Sequence, residues 1–162
     1  LIIEIGTQRG NSALMLADIA KDMAAKVITL DILRPNKPQL SIFNKKGISF
    51  IQADATVRST YDLVIKASGM SEENINALVI DDGSHLKEHV LESFKLFSSL
   101  VQQNGFYIVE DGFSNWMIQK KSHDALGGVE NILKSFKQFS RYKKYDEFML
   151  SSAYLGILQR VS

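Results

Sequence analysis

The sequence predicts an α/β fold: a doubly wound, mostly parallel sheet with a closing antiparallel strand. Three observations predict it. Short apolar runs, which read as buried strands, alternate with segments whose apolar residues recur at helical spacing. The acids that stand out in the chain fall at the carboxyl ends of those runs, which is where open parallel sheets bind ligands. Near the end of the chain two apolar runs are separated only by a short stretch centred on Ser151-Ser152, as in a hairpin.

Each element has its own signal. Residues 1–5 form an apolar run that ends at Gly6, the first strand. Asn11 or Ser12 can cap the helix that follows, and Ala13, Leu16, Ala17, Ala20 and Ala24 form its apolar stripe. Residues 27–30 make a second strand ending at Asp31, and residues 34–38 a polar loop holding both prolines. Residues 48–51 make a third strand that ends near Asp54. Residues 61–67 read as a short helix closed by Ser68 and Gly69. A fourth strand, residues 77–80, delivers Asp81 and Asp82.

Ser84 is a good N-cap for the next helix, whose apolar face is Leu86, Val90, Phe94, Phe97 and Val101 and whose end is Asn104-Gly105. A fifth strand, residues 106–109, delivers Glu110 and Asp111. Residues 112–125 are polar and irregular, about the length at which a loop is usually functional or disordered. Val129, Ile132, Leu133 and Phe136 mark a last helix, with the cluster 141–144 as its exposed end. Residues 148–150 and 154–158 then read as two closing strands. No repeat or linker divides the 162 residues, so a single domain spanning 1–162 is expected.

Composition bounds the function classes. Hydrophobic content of 45% with 23% charged residues is that of an ordinary globular protein. Nineteen basic residues against 18 acidic ones give a net charge of +1, which argues against a polyanion-binding surface. There is no cysteine, which excludes disulfides, thiolate zinc sites and cysteine nucleophiles. No apolar run approaches the roughly 20 residues that cross a bilayer. The expectation is a cytoplasmic protein with neither nucleic-acid nor membrane partners, open to homo-oligomerisation. The chain opens on a strand without an initiating Met, which suggests that a longer parent protein has been trimmed.

The candidate chemistry lies at the strand ends. A helical pattern joins the fourth and fifth strands, so they are expected to run parallel and to bring Asp81, Asp82, Glu110 and Asp111 to one edge. Four such acids repel one another unless a cation or a proton intervenes, and clustered oxygens suit magnesium, manganese or calcium. His85 adds a titratable base at the same mouth. The turn from Gly6 to Gly10 lacks the third glycine of a dinucleotide site, and the preceding Glu4 suits a ligand with a cationic amino group. Asp31, about 20 residues past the turn, stands where a carboxylate accepts from ribose hydroxyls. Asp54 could accept from the exocyclic amine of adenine, or cap the next helix.

These residues carry a resemblance. Glu4-Ile5-Gly6-Thr7-Gln8-Arg9-Gly10, Asp31 and Ala53-Asp54-Ala55 resemble the successive binding motifs of class I S-adenosylmethionine-dependent methyltransferases. Within that class, Ile80-Asp81-Asp82-Gly83-Ser84-His85 followed by Ile108-Val109-Glu110-Asp111 resembles the metal-dependent group that methylates sugar hydroxyls, which includes the macrolide-sugar O-methyltransferases and the cephalosporin hydroxylase-like proteins. The resemblance spans nearly the whole chain. Its D-G-S-H and V-E-D motifs are specific, whereas the glycine turn is generic to the class.

The resemblance implies a Rossmann-like fold. It also implies an S-adenosylmethionine-dependent O-methyltransferase that uses Mg2+ or Mn2+ and acts on a hydroxyl of a sugar or glycosylated small molecule. Carried over residue by residue, it makes Asp82, Glu110 and Asp111 the metal ligands and His85 the base for the acceptor hydroxyl. Glu4, Gly6, Gly10, Asp31, Asp54 and Ala55 fall to the cofactor site. Asp81 has no family role and is expected to support the metal ligands from behind. Two departures stand out: the segment that usually precedes the first strand is missing, and Ser114-Asn115-Trp116 replaces the family's Ser-Tyr-Trp.

Rival readings attach to the same residues. His85, Glu88 and His89 spell H-x-x-E-H, the pattern of a zinc metallohydrolase with both histidines on one helical face. That reading leaves the glycine turn and the Glu110-Asp111 pair without a role. A non-catalytic adenosylmethionine-binding module is the alternative from outside enzymes. For His89 the expectation is a partly buried helix residue. His123 and the pair Lys120-Lys121 read as solvent-exposed, and Phe113 and Trp116 as a sugar-stacking pair or as loop anchors.

Overall fold

The computed structural model describes residues 1–110, 141–144 and 156–162. The described elements are β1 (Ile2–Ile5), α1 (Asn11–Asp22), β2 (Val27–Asp31), α2 (Lys37–Lys46), β3 (Ile48–Gln52), α3 (Arg58–Ser68), β4 (Leu78–Asp81), α4 (Lys87–Phe97), β5 (Phe106–Val109), β6 (Tyr142–Lys144) and β7 (Gly156–Arg160). The strands form one sheet in the order β3-β2-β1-β4-β5-β7-β6. Strands β1 to β5 are parallel, β7 pairs antiparallel with β5, and β6 pairs antiparallel with β7. The predicted fold class is thus the one observed, and the strand order reverses between β1 and β4.

Both faces of the sheet are covered, so every residue of β1 is buried. The pleat sends Ile3 and Ile5 to one side, where they meet Val64 of α3 and Val90, Phe94 and Phe97 of α4. It sends Ile2 and Glu4 to the other, where Ile2 packs with Ala13, Leu16, Ala17 and Ala20 of α1 and Phe43 of α2. Phe94 is wedged between two tyrosines: its centroid lies 4.8 Å from Tyr107 on β5 and 5.1 Å from Tyr142 on β6, both edge-on. Burying such a ring contributes about 1.5–3 kcal/mol.

Several boundaries differ from expectation for identifiable reasons. The segment read as a proline loop leads into α2. Pro38 sits in the first turn, where a missing N–H is harmless, and Asn36 caps the helix by accepting the Gln39 N–H at 2.9 Å. The stripe of α1 stops at Ala20, because Ala24 lies beyond the helix with φ of 50°. The cluster 141–144 is not a helix end. It contributes β6, whose Tyr142 hydroxyl donates to the Ser98 carbonyl at 2.7 Å. The closing strand β7 lies two residues later than the predicted 154–158. Residues 148–150 and the helix marked by Val129, Ile132, Leu133 and Phe136 lie outside the described residues. None of the helices among the described residues is long and apolar enough to cross a membrane.

Candidate functional site

The carboxyl ends of β1, β2, β3, β4 and β5 are stitched one rung past the strands. Gly6 and Thr7 donate to the Leu30 carbonyl at 2.8 and 3.1 Å, and Ala53 donates to the Asp31 carbonyl at 3.0 Å. Asp82 donates to the Ile5 carbonyl at 2.8 Å, and Glu110 to the Asp81 carbonyl at 2.9 Å. This lacing brings the β1 turn against the β4 turn at the point of strand reversal. Gly6 is required there: its φ is +99°, and a Cβ would stand 2.1 Å from the Asp82 carbonyl oxygen.

Between these turns lies a cavity of about 440 Å³, within the range of small-molecule sites. Its walls include Gly6, Asp31, Asp54 and Ala55 on one side and Asp82 and His85 on the other. Asp31 is oriented by two backbone donors, with Gln8 N–H on Oδ2 and Leu33 N–H on Oδ1, each at 2.8 Å. Each oxygen keeps a further lone pair for a ligand hydroxyl. Asp54 Oδ1 accepts from the Thr56 N–H at 2.8 Å and the Thr56 hydroxyl at 2.7 Å. These two bonds, the backbone one first, hold the Asp54 carboxyl below its usual range. Asp54 therefore closes the turn toward α3 and lines the cavity as well.

Glu4 and Gly10 do not line this cavity. Glu4 is buried, and its Oε2 accepts the Thr29 hydroxyl at 2.5 Å while Thr29 in turn lies 2.6 Å from Thr7 Oγ1. Burial pushes the Glu4 carboxyl up. Hydrogen bonds from Ser12 and Thr29 oppose that rise, and the fields of Glu110 and Asp31 add to it. Gly10 is left-handed at the start of α1, and a Cβ there would run into the Phe43 ring at 2.3 Å. Its need for glycine is one of backbone conformation and of packing.

On the opposite wall Asp81 and Asp82, which both line the cavity, do not act alike. Asp81 and Asp82 are successive, so their side chains diverge. Asp82 stays at the mouth, where His85 Nε2 lies 3.8 Å from its Oδ1. Asp81 turns under α4 and is 4% exposed, hydrogen-bonded by Ser93 and by Tyr107 Oη at 3.1 Å. Burial raises its carboxyl, opposed by those hydrogen bonds, by the Gly83 N–H and by the charge of His85. Asp82 and Glu110 follow adjacent parallel strands. Asp111 lies outside the described residues, and among those residues no three metal-ligating side chains converge.

Ser84 does not cap α4. The helix begins three residues later at Lys87, and Ser84 Oγ instead meets His89 Nδ1 at 2.7 Å. His85 thus precedes the helix, with φ of 55°, so the two histidines of H-x-x-E-H do not share a helical face. His89 is exposed and lines the cavity, contrary to the partly buried position expected. Its charge acts on Asp54. Ser93, one turn further along α4, reaches the same cavity. The i, i+4 spacing of His89 and Ser93 was the available signal for both. His123, Phe113, Trp116, Lys120 and Lys121 lie outside the described residues.

The model of a family described as rhamnosyl O-methyltransferase/CmcI matches residues 1–161. No curated protein sequence matches the chain. Among solved structures, the chain is similar to the MycE methyltransferase of the mycinamycin biosynthetic pathway, in complex with Mg, SAH and mycinamycin VI. The identity is 21%, covering 99% of this chain and 44% of that one, with a TM-score of 0.67. It is similar as well to apo CalS11, a TDP-rhamnose 3'-O-methyltransferase of calicheamicin biosynthesis, at 10% identity over 98% of this chain and 70% of that one, TM-score 0.66. A protein from Corynebacterium glutamicum aligns at 14% identity over 99% of this chain and 72% of its own length, TM-score 0.64. At these identities the likeness is one of fold. The chain spans less than half the length of MycE.

Proposed function

The chain belongs to the rhamnosyl O-methyltransferase/CmcI family, and from that premise we propose that it transfers a methyl group from S-adenosylmethionine to a hydroxyl of a sugar or glycosylated small molecule. The observation that carries this reading is the two-sided cavity. Asp31, Asp54 and Ala55 stand on the wall built by β2 and β3, and Asp82 and His85 on the wall built by β4. MycE, which shares the fold, was crystallised with Mg and SAH together, a pairing that suits these two walls.

The donor set fits a hard divalent cation: carboxylate oxygens, with no cysteine anywhere in the chain. Asp82 and Glu110 would hold it, with Asp111 as the third ligand. When bound, such a cation lowers the pKa of an acceptor hydroxyl. The protein's own residues do the rest. Asp31 holds the ribose, its carboxylate already aimed by Gln8 and Leu33. Gly6, without a side chain, lets the cofactor approach the backbone. His85 takes the acceptor proton as general base. The oxygen–carbon bond forms as the sulfur–carbon bond breaks, and S-adenosylhomocysteine leaves. Alignment of the two reactants supplies much of the rate.

Calorimetry with S-adenosylhomocysteine and with a nicotinamide dinucleotide tests the cofactor class. Binding of the first and not the second is expected, and the reverse overturns the proposal. With a nucleotide-sugar acceptor, chelation is expected to stop turnover and magnesium or manganese to restore it. Full activity in excess chelator overturns the role of the cation.

A further inference from the structure

Asp81 is the last residue of β4 and pairs with Ile5 on one side and Val109 on the other. A sheet position of this kind needs no carboxylate for packing, and a buried one is costly unless hydrogen-bonded. This one is bonded from two further elements. Ser93 of α4 and Tyr107 of β5 both donate to Oδ2, the latter at 3.1 Å, while Oδ1 faces the Gly83 N–H at 3.4 Å. Tyr107 is itself fixed. Its ring is fully buried against Phe94, and its hydroxyl lies 3.3 Å from Ser93 Oγ. One carboxylate thus ties β4, β5 and α4 together where the turn 82–85 departs.

That turn needs holding. His85 has φ of 55°, a conformation that a non-glycine residue keeps only where its surroundings impose it. Gly83 is pressed between two walls, since a Cβ there would stand 3.3 Å from both Asp81 Oδ1 and Ile5 Cγ2. Gly6 closes the turn from the β1 side, against the Asp82 carbonyl.

We infer that Asp81 is a positioning residue, anchored by Tyr107 and Ser93, that sets the turn presenting Asp82 to the cation and His85 to the acceptor. The inference rests on the roles proposed above for Asp82 and His85. Side chains that orient metal ligands typically contribute about 10- to 100-fold in metal affinity or activity.

The test uses the full chain with Asp81→Asn, Tyr107→Phe and Ser93→Ala. Mn2+ binding is titrated by electron paramagnetic resonance and S-adenosylhomocysteine binding by calorimetry. Asp81→Asn is expected to weaken Mn2+ by about tenfold or more, and Tyr107→Phe by less, with cofactor affinity held. In turnover, kcat falls while the KM for S-adenosylmethionine stays. A purely structural role would lower thermal stability without moving Mn2+ affinity. Unchanged Mn2+ affinity in all three variants, with the cofactor still bound, overturns the inference and leaves the proposed function standing. A wild-type chain that binds neither Mn2+ nor S-adenosylhomocysteine overturns the function, and the inference with it. If Asp81→Asn does not fold, Tyr107→Phe decides, because it removes one oxygen and keeps the ring.

Discussion

His85 Nε2 stands 3.8 Å from Asp82 Oδ1 although no helix joins the two residues. The turn does it, with His85 left-handed and α4 starting only at Lys87. Base and acid therefore reach the cavity as one unit. His85→Ala is expected to cut the methyl-transfer rate by about a hundredfold or more, the usual contribution of a positioned base, with S-adenosylhomocysteine affinity unchanged. His89→Ala is expected to leave the melting temperature nearly unchanged, since the imidazole is exposed, and to alter affinity for the cavity's ligand. Steady-state kinetics beside calorimetry separates the two. A rate loss confined to His89→Ala would reassign the base.

Asp31→Ala is expected to weaken S-adenosylhomocysteine by about tenfold or more, because hydrogen bonds to a charged acceptor contribute about 1.5–3 kcal/mol. Mn2+ binding should not move, since Asp31 lies on β2, away from Asp82 and Glu110. Calorimetry with each ligand in turn checks both statements. Equal losses for both ligands would mean that Asp31 acts through the fold of the Gln8 turn.

Gly6→Ala is expected to destabilise the fold by about 3 kcal/mol or more, since the new Cβ would meet the Asp82 carbonyl oxygen at 2.1 Å in a backbone that already disfavours side chains. Gly47→Ala is the control. Gly47 has φ of +72° with nothing within 4 Å, so only the left-handed cost of about 1–2 kcal/mol applies. Denaturant melts of the two variants give the difference directly.

Glu4 carries a pH dependence whose sign follows from its environment. Burial raises the carboxyl, so the folded chain binds this proton more tightly than the unfolded chain does. Its contribution to stability is full below the unfolded pKa and is lost as pH rises through the folded value. Glu4→Gln is expected to flatten the Tm profile over that window and to raise Tm at neutral pH. Thermal melts from about pH 4 to pH 8 check it. A lower Tm at neutral pH in the variant would mean that the carboxylate is charged and paired. S-adenosylhomocysteine affinity of the same variant shows whether Glu4, which is buried and does not line the cavity, serves the cofactor.

The five parallel strands were legible along the chain because each is a short, mostly apolar run with a glycine or an acid at or near its end, a pattern that local chemistry alone produces. Helix α2 was not. Pro35 and Pro38 signal a loop, and only the completed helix shows that Pro38 occupies a turn where its missing N–H is harmless. Strand β6 was not legible either. Three residues with two lysines are too short to display alternation, and the pairing that makes them a strand comes from β7.

At the site, residue types and strand ends were determined by the sequence: acids at or just past the ends of β2, β3, β4 and β5, and a histidine three residues past Asp82. Where each side chain points was decided by tertiary structure. Pleat and pairing with β5 bury Asp81 and leave Asp82 at the mouth, and the register of β1 on β4 aligns Ile5 with Asp81 and so turns Glu4 to the other face, off the cavity lining. The contact of Ser84 with His89 goes with a helix that starts late, which places His85 in a turn and His89 on the cavity wall. Direction at a strand end depends on the register of neighbouring strands far away in sequence, and no local pattern encodes it.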